Sequence, residues 1–216
     1  MSSFIKNNKY AVFVFNLTVI YIVGISGICL TSTEDRLLFL KLTPLNLTVT
    51  AFFLLLFHKK WNTVFIGSSI CIALVGFFVE VLGVRTGNIF GTYYYGENLG
   101  FKILEVPVVI GLNWLLLIYA ISGSLSKIRS TFLFALIAAG IMTLLDFFIE
   151  PIAIKLDFWQ WNKDVIPLQN YIAWYLISGL LFYAYRELNG AIENKFSYVV
   201  LLIQFLFFGL LNVLLP

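Results

Sequence analysis

Apolar residues fill this chain in long blocks separated by short polar stretches. Seven blocks approach the ~20 residues that a helix needs to cross a bilayer. They lie at about 10–30, 37–57, 62–83, 106–124, 131–149, 168–185 and 196–215. The pattern predicts an all-α polytopic membrane protein with about seven transmembrane helices, a single integral membrane domain over residues 1–216. The second block contains Lys41 and Pro44, and the proline is expected to kink that helix or to mark its true start. The first block follows Lys6 and Lys9, is longer than a signal-peptide core and has no small-residue cleavage site, so it predicts a retained helix.

Composition agrees with the pattern. The chain is 61% hydrophobic and 12% charged, whereas soluble domains carry about 25% charged residues. A core built from 216 residues cannot bury that much apolar surface, so a bilayer must. The net charge of +3 comes from basic residues spread over short loops without a cluster, too little to argue for nucleic acid, and no nucleic-acid partner is expected. Cys29 and Cys71 both lie inside apolar blocks and are expected to pack rather than to form a disulfide or bind metal.

Loop charges set the orientation. With the N-terminus inside, the inner segments hold Lys6, Lys9, Lys59, Lys60, Lys127, Arg129, Arg186 and Lys195. The outer ones hold Arg36, Lys41, Arg85, Lys102, Lys155 and Lys163. That eight-to-six excess predicts a cytoplasmic N-terminus and an external C-terminus. The expected location is a prokaryotic plasma (inner) membrane.

Two long loops, at about 85–105 and 151–167, fall on the outer side and are rich in Gly, Tyr, Trp and Asn. Each follows an acidic helix end and leads to a proline with a Trp seven residues beyond it. The first copy reads Glu80, Tyr93-Tyr94-Tyr95, Pro107, Trp114; the second reads Asp146, Trp159 and Trp161, Pro167, Trp174. The acid-to-proline gap is 27 residues in one and 21 in the other. This predicts a duplication, with the third and fourth helices repeated as the fifth and sixth in two parallel hairpins, and a site between them.

Carboxyls at the edge of hydrocarbon are costly and default to a functional reading. Asp146 and Glu150 are four residues apart and share a helix face, with Pro151 expected to end or bend that helix. Bland accounts exist for most of the acids. Glu80 can pair with Arg85, and Glu150 and Glu105 are expected at interfaces that water reaches. Asp146 has the weakest such account, because apolar residues lead straight into it. A carboxyl kept from water favours its neutral form. The pair Asp146/Glu150, or Asp146/Glu80 across helices, is therefore expected to hold a proton, which can be given to an alkene to make a carbocation. Aromatic faces stabilise a desolvated cation by ~2 kcal/mol or more; Tyr93, Tyr95, Trp114, Trp159, Trp161 and Trp174 are the candidates. A carboxylate or an Asn can then orient water.

Other chemistries lack their residues. The single histidine, His58, sits beside Lys59 and Lys60 and is expected to face headgroups, which leaves no zinc or di-iron ligand set. There is no Asp-rich diphosphate motif. The glycine-rich stretch 87–96 lacks strand-turn-helix context for a dinucleotide, and the last helix has no lysine to hold retinal. No cofactor is expected.

Several stretches together resemble the CruF-type membrane carotenoid 1,2-hydratase (carotenoid biosynthesis protein) family. They are Glu80-Val-Leu-Gly-Val-Arg-Thr-Gly87, Phe90-Gly-Thr-Tyr-Tyr-Tyr95, Val106-Pro107, Asp146-x-x-x-Glu150-Pro151, Trp159-Gln-Trp161 and Ile166-Pro167-x-x-Asn170-x-x-x-Trp174. The resemblance covers about residues 62–185; the first two helices and the last carry no matching motif. It implies addition of water across the terminal C1–C2 double bond of an acyclic (ψ) carotenoid end, giving a tertiary hydroxyl. Implied substrates are lycopene-like or γ-carotene-like ends and, in archaeal relatives, C50 bacterioruberin precursors. Expected partners are the carotenoid, membrane lipid and other carotenoid-pathway enzymes.

On this reading Asp146 is the proton donor, with Glu80 or Glu150 as the water-orienting base. Arg85 tunes Glu80, and Asn113 and Asn170 hold water or carboxyls. A membrane lycopene cyclase would share the protonation and let an internal alkene capture the cation. A transporter or carotenoid-binding protein would do no chemistry, but would be expected to show helices broken near the midplane.

Overall fold

A computed structural model describes residues 8–162 and 165–215. Lys6 and Lys163, counted above for orientation, lie outside the described residues. Eight helical segments occur among them: α1 (Lys9–Leu30), α2 (Thr33–Lys41), α3 (Thr43–Leu56), α4 (Thr63–Thr86), α5 (Val109–Ser124), α6 (Thr131–Lys155), α7 (Leu168–Asn189) and α8 (Lys195–Leu214). Four short strands are β1 (Tyr93–Tyr95), β2 (Lys102–Ile103), β3 (Val106–Pro107) and β4 (Trp159–Trp161). The protein is an all-α polytopic membrane protein. Counting α2 and α3 as one bent span over Thr33–Leu56, five helices are long and apolar enough to cross a bilayer.

The second block breaks where its sequence says it should. α2 starts at a Ser32 cap that accepts the Asp35 N–H at 3.2 Å, and α3 restarts with Pro44 in its first turn. The fifth block departs from expectation. α6 runs through Pro151 to Lys155 instead of ending there. One local and one long-range bond hold its end: the Phe158 N–H donates to Ala153 O and the Asn98 amide to Leu156 O, both at 2.9 Å. The fourth block starts later than predicted, because Val106–Pro107 pairs with Lys102–Ile103 before α5 begins.

α5 has only 16 residues, fewer than a lipid-facing span requires. It can be short because it is the core. It packs on α3, α4, α6, α7 and α8, and Leu116 through Gly123 are all buried. Helix directions alternate, so one end of the bundle joins α1 to α8, where Tyr10 Oη reaches Lys195 O, and α7 to the α5–α6 loop, where Arg186 Nη2 donates to Ile128 O at 2.6 Å. The opposite end carries all four strands. There, β1 and β4 pair antiparallel in the register Tyr93↔Trp161, Tyr94↔Gln160, Tyr95↔Trp159.

The β2–β3 turn is strained. Leu104 and Glu105 both have positive φ, 53° and 71°, a conformation suited to Asn-Gly. Both side chains are exposed. Replacing the pair by Asn-Gly is expected to stabilise the protein by about 1–2 kcal/mol, read as a higher unfolding temperature in detergent. An unchanged or lower temperature would show that the turn is not strained.

Candidate functional site

The predicted duplication is visible as geometry. Strand β1 follows α4 and strand β4 follows α6, and the two strands form one ribbon across the bundle end. Trp114 and Trp174, each seven residues after its proline, stack face to face with centroids 4.4 Å apart and planes 4° from parallel.

The hydrogen bonds correct the pairing of the acids. Glu80 accepts from the hydroxyls of Tyr93 at 2.5 Å and Tyr95 at 2.9 Å, and from Trp114 Nε1 at 3.2 Å. Glu150 accepts from Trp159 Nε1 at 3.0 Å, Trp161 Nε1 at 2.7 Å and Asn170 Nδ2 at 3.0 Å. Each Glu is thus clamped by its own repeat's aromatic strand, so Glu80 corresponds to Glu150, not to Asp146. The position one turn before Glu80 is Gly76, where a Cβ would overlap the fully buried Trp114 ring. One turn before Glu150 stands Asp146. It breaks the symmetry, and its one protein donor among the described residues is Asn170 Nδ2, at 3.0 Å from Oδ2.

All three carboxyls are buried, each at most 3% exposed. Glu150 was expected within reach of water. It is instead shielded by the β4 indoles, because α6 continues past it and folds β4 back over it. The three acids border one shared pocket. Tyr93, Tyr95, Asn113, Trp114, Trp159, Trp161, Asn170 and Trp174 also line it. Arg85 does not. It is exposed, and Glu80 takes its donors from rings instead. Burial first, and then the charge of Glu80, hold the Tyr93 and Tyr95 hydroxyls far above the usual phenol range, so both remain protonated donors.

Sequence reasoning missed the apolar wall. Met142 and Ile149 lie four residues before and three after Asp146, and Ile110 and Leu117 lie the same distances from Trp114. Helical periodicity around each predicted site residue would have found them. Phe90 carries no such signal, since it reaches the cavity from an irregular loop.

The lid is closed at several points. The Gly96 N–H donates to Phe158 O at 3.0 Å and the Asn162 N–H to Thr92 O at 2.9 Å, extending the ribbon at both ends. Lys102 Nζ bridges Tyr95 O at 2.8 Å and Glu97 at 2.7 Å. Gly91 has φ +111°, and a Cβ there would sit 2.7 Å from Pro167, so the loop bearing Phe90 depends on glycine to pass under the start of α7.

A family described as "Carotenoid biosynthesis protein" matches residues 40–215. Over 121 residues the chain is 31% identical to a protein of Haloarcula japonica named bisanhydrobacterioruberin hydratase. That alignment covers 51% of this chain and 40% of the relative, so it spans less than half of the relative's length. No solved structure matches the chain.

Proposed function

Because this chain belongs to the carotenoid biosynthesis protein family, we propose that it is a carotenoid hydratase. It adds water across the terminal C1–C2 double bond of an acyclic end group. The observation that carries the reading is the convergence of three buried carboxyls on one aromatic-walled cavity. The name of the Haloarcula japonica relative supports the same class of reaction.

The hydrogen bonds support a division of labour. Glu80 and Glu150 each accept three bonds, through both oxygens, which suits carboxylates. Asp146 accepts one, which suits the group that carries the proton. Asp146 protonates C2 of the chain end, and the π electrons that form the new C–H bond leave a tertiary cation at C1. The indole walls and the two carboxylates face that cation as the positive charge develops. Asn113 borders the cavity and has no hydrogen-bond partner among the described residues, so its amide is free to hold the water. Water oxygen bonds to C1, and its surplus proton passes to Glu150 and back to Asp146, which shares the Asn170 amide with it. The addition is redox-neutral and consumes no electron carrier.

The same reading puts the chamber on the external side of a prokaryotic plasma membrane, with the N-terminus cytoplasmic, following the eight-to-six excess of basic residues. The test is expression in a host engineered to make lycopene or γ-carotene, grown in ¹⁸O-labelled water. The expected product is a more polar carotenoid, heavier by one labelled water per reacted end. An isomer of unchanged mass would identify a cyclase, and an unmodified pigment would overturn the enzymatic reading.

A further inference from the structure

At the end of the bundle opposite the carboxyl chamber, α3 and α4 are joined by residues 57–62 yet scarcely touch. Each packs on α5 instead. The gap between them is an open cleft, with Leu55 of α3 on one side, Ile66, Ile70 and Leu74 of α4 on the other, and Leu115 of α5 as its floor. Its walls are apolar apart from Ser69, whose hydroxyl is engaged with the Tyr185 hydroxyl at 3.2 Å. The three α4 side chains are each about half exposed, between 45% and 55%. Consecutive helices normally close such a gap on each other, and here something else must fill it.

The polar end of the cleft has a different character. A second pocket shares Phe65 with the cleft and is bordered by His58, Lys59, Lys60 and Asn189. Glu193 is the acid at its edge. Both lysines are exposed, and neither forms an ion pair among the described residues. His58 stacks on Phe65 at 3.7 Å and bonds the Tyr119 hydroxyl through Nδ1 at 2.8 Å. Its Nε2 is buried without a partner. Trp61, 56% exposed, stands at the junction, where an indole belongs at a headgroup–hydrocarbon boundary.

We propose that this composite groove holds one anionic phospholipid, with its phosphate at Lys59 and Lys60 and an acyl chain lying between α3 and α4. Charge complementarity selects the headgroup: two free cations against one acid, at a depth where basic pockets between helices bind anionic lipid. The apolar cleft selects a chain rather than a soluble anion. The lipid acts as the packing element that α3 and α4 lack, and it is independent of what the carboxyl chamber does.

The test uses the full chain in nanodiscs of phosphatidylcholine titrated with phosphatidylglycerol, with retained lipid read by native mass spectrometry. Wild type should retain phosphatidylglycerol in preference to phosphatidylcholine, and millimolar inorganic phosphate should not displace it. The double variant Lys59→Gln, Lys60→Gln should bind it roughly thirty-fold more weakly, as loss of two interfacial cations implies. Ile70→Trp, which fills the cleft and leaves both lysines, should also lose it. Unchanged binding in either variant, equal retention of phosphatidylcholine, displacement by free phosphate, or carotenoid recovered in place of phospholipid would overturn the proposal. None of the three substituted residues lines the carboxyl chamber, so carotenoid turnover by both variants serves as the control for folding.

Discussion

Asp146→Asn is expected to lower hydration by 10²–10⁴-fold while leaving the protein folded. That range is what a positioned proton donor contributes. The substitution is nearly isosteric, and the asparagine oxygen still accepts the Asn170 amide that Asp146 Oδ2 accepts at 3.0 Å. What disappears is the acidic proton. Asp146 is buried and has only that one protein donor among the described residues, so no bonding network collapses with it. The measurement is product formed per folded protein, alongside an unfolding temperature in detergent. Activity within about tenfold of wild type would remove Asp146 from the donor role, since even a weak general acid contributes more than that.

Glu150→Gln should be the more disruptive of the two glutamate replacements, and the contrast with Glu80→Gln follows from which donors surround each. Glu150 faces two indole N–H groups and the Asn170 amide. An indole N–H cannot accept a hydrogen bond. With the glutamine oxygen toward the indoles, its NH₂ confronts the Asn170 NH₂. Flipping Asn170 relieves that clash but withdraws the donor from Asp146. Expected results are a loss of about 1–3 kcal/mol of stability from an unsatisfied buried group and a fall in activity of about 10²-fold or more. Glu80 faces one indole and two phenols. Phenol hydroxyls can rotate and accept, so Glu80→Gln keeps a satisfied network, and its unfolding temperature should stay near that of wild type while its activity falls. Equal destabilisation by the two replacements would contradict this account of the clamps.

Features with a local cause were legible in the chain. The kink at Pro44 was readable because proline acts on its own helix. Pro151 was expected to end or bend its helix, and it does not end it. α6 continues past it to Lys155, and the end of the helix is held both by the nearby Phe158 N–H and by the Asn98 amide, which comes from a loop 58 residues away in sequence. Two aromatic clusters following acidic helix ends signalled a chamber, because apolar and acidic residues together have few uses in a bilayer. Their joining into one ribbon was not signalled, since strand register is set by the partner strand. Arg85 was drawn into the site by its spacing from Glu80, yet its side chain is exposed and ring donors reach the carboxyl first.

By itself the sequence determined the membrane character, the rough limits of the helices, and the residue types of the chamber. Block length and the cost of putting charge in hydrocarbon are properties of the chain. Only the tertiary structure decided that α5 is a short central helix, that Glu80 corresponds to Glu150, and that Asp146 replaces what is Gly76 in the other repeat. Those facts depend on which surfaces meet across the bundle, and a ring stack or a shared amide exists only once two distant helices have been brought to within a few ångströms.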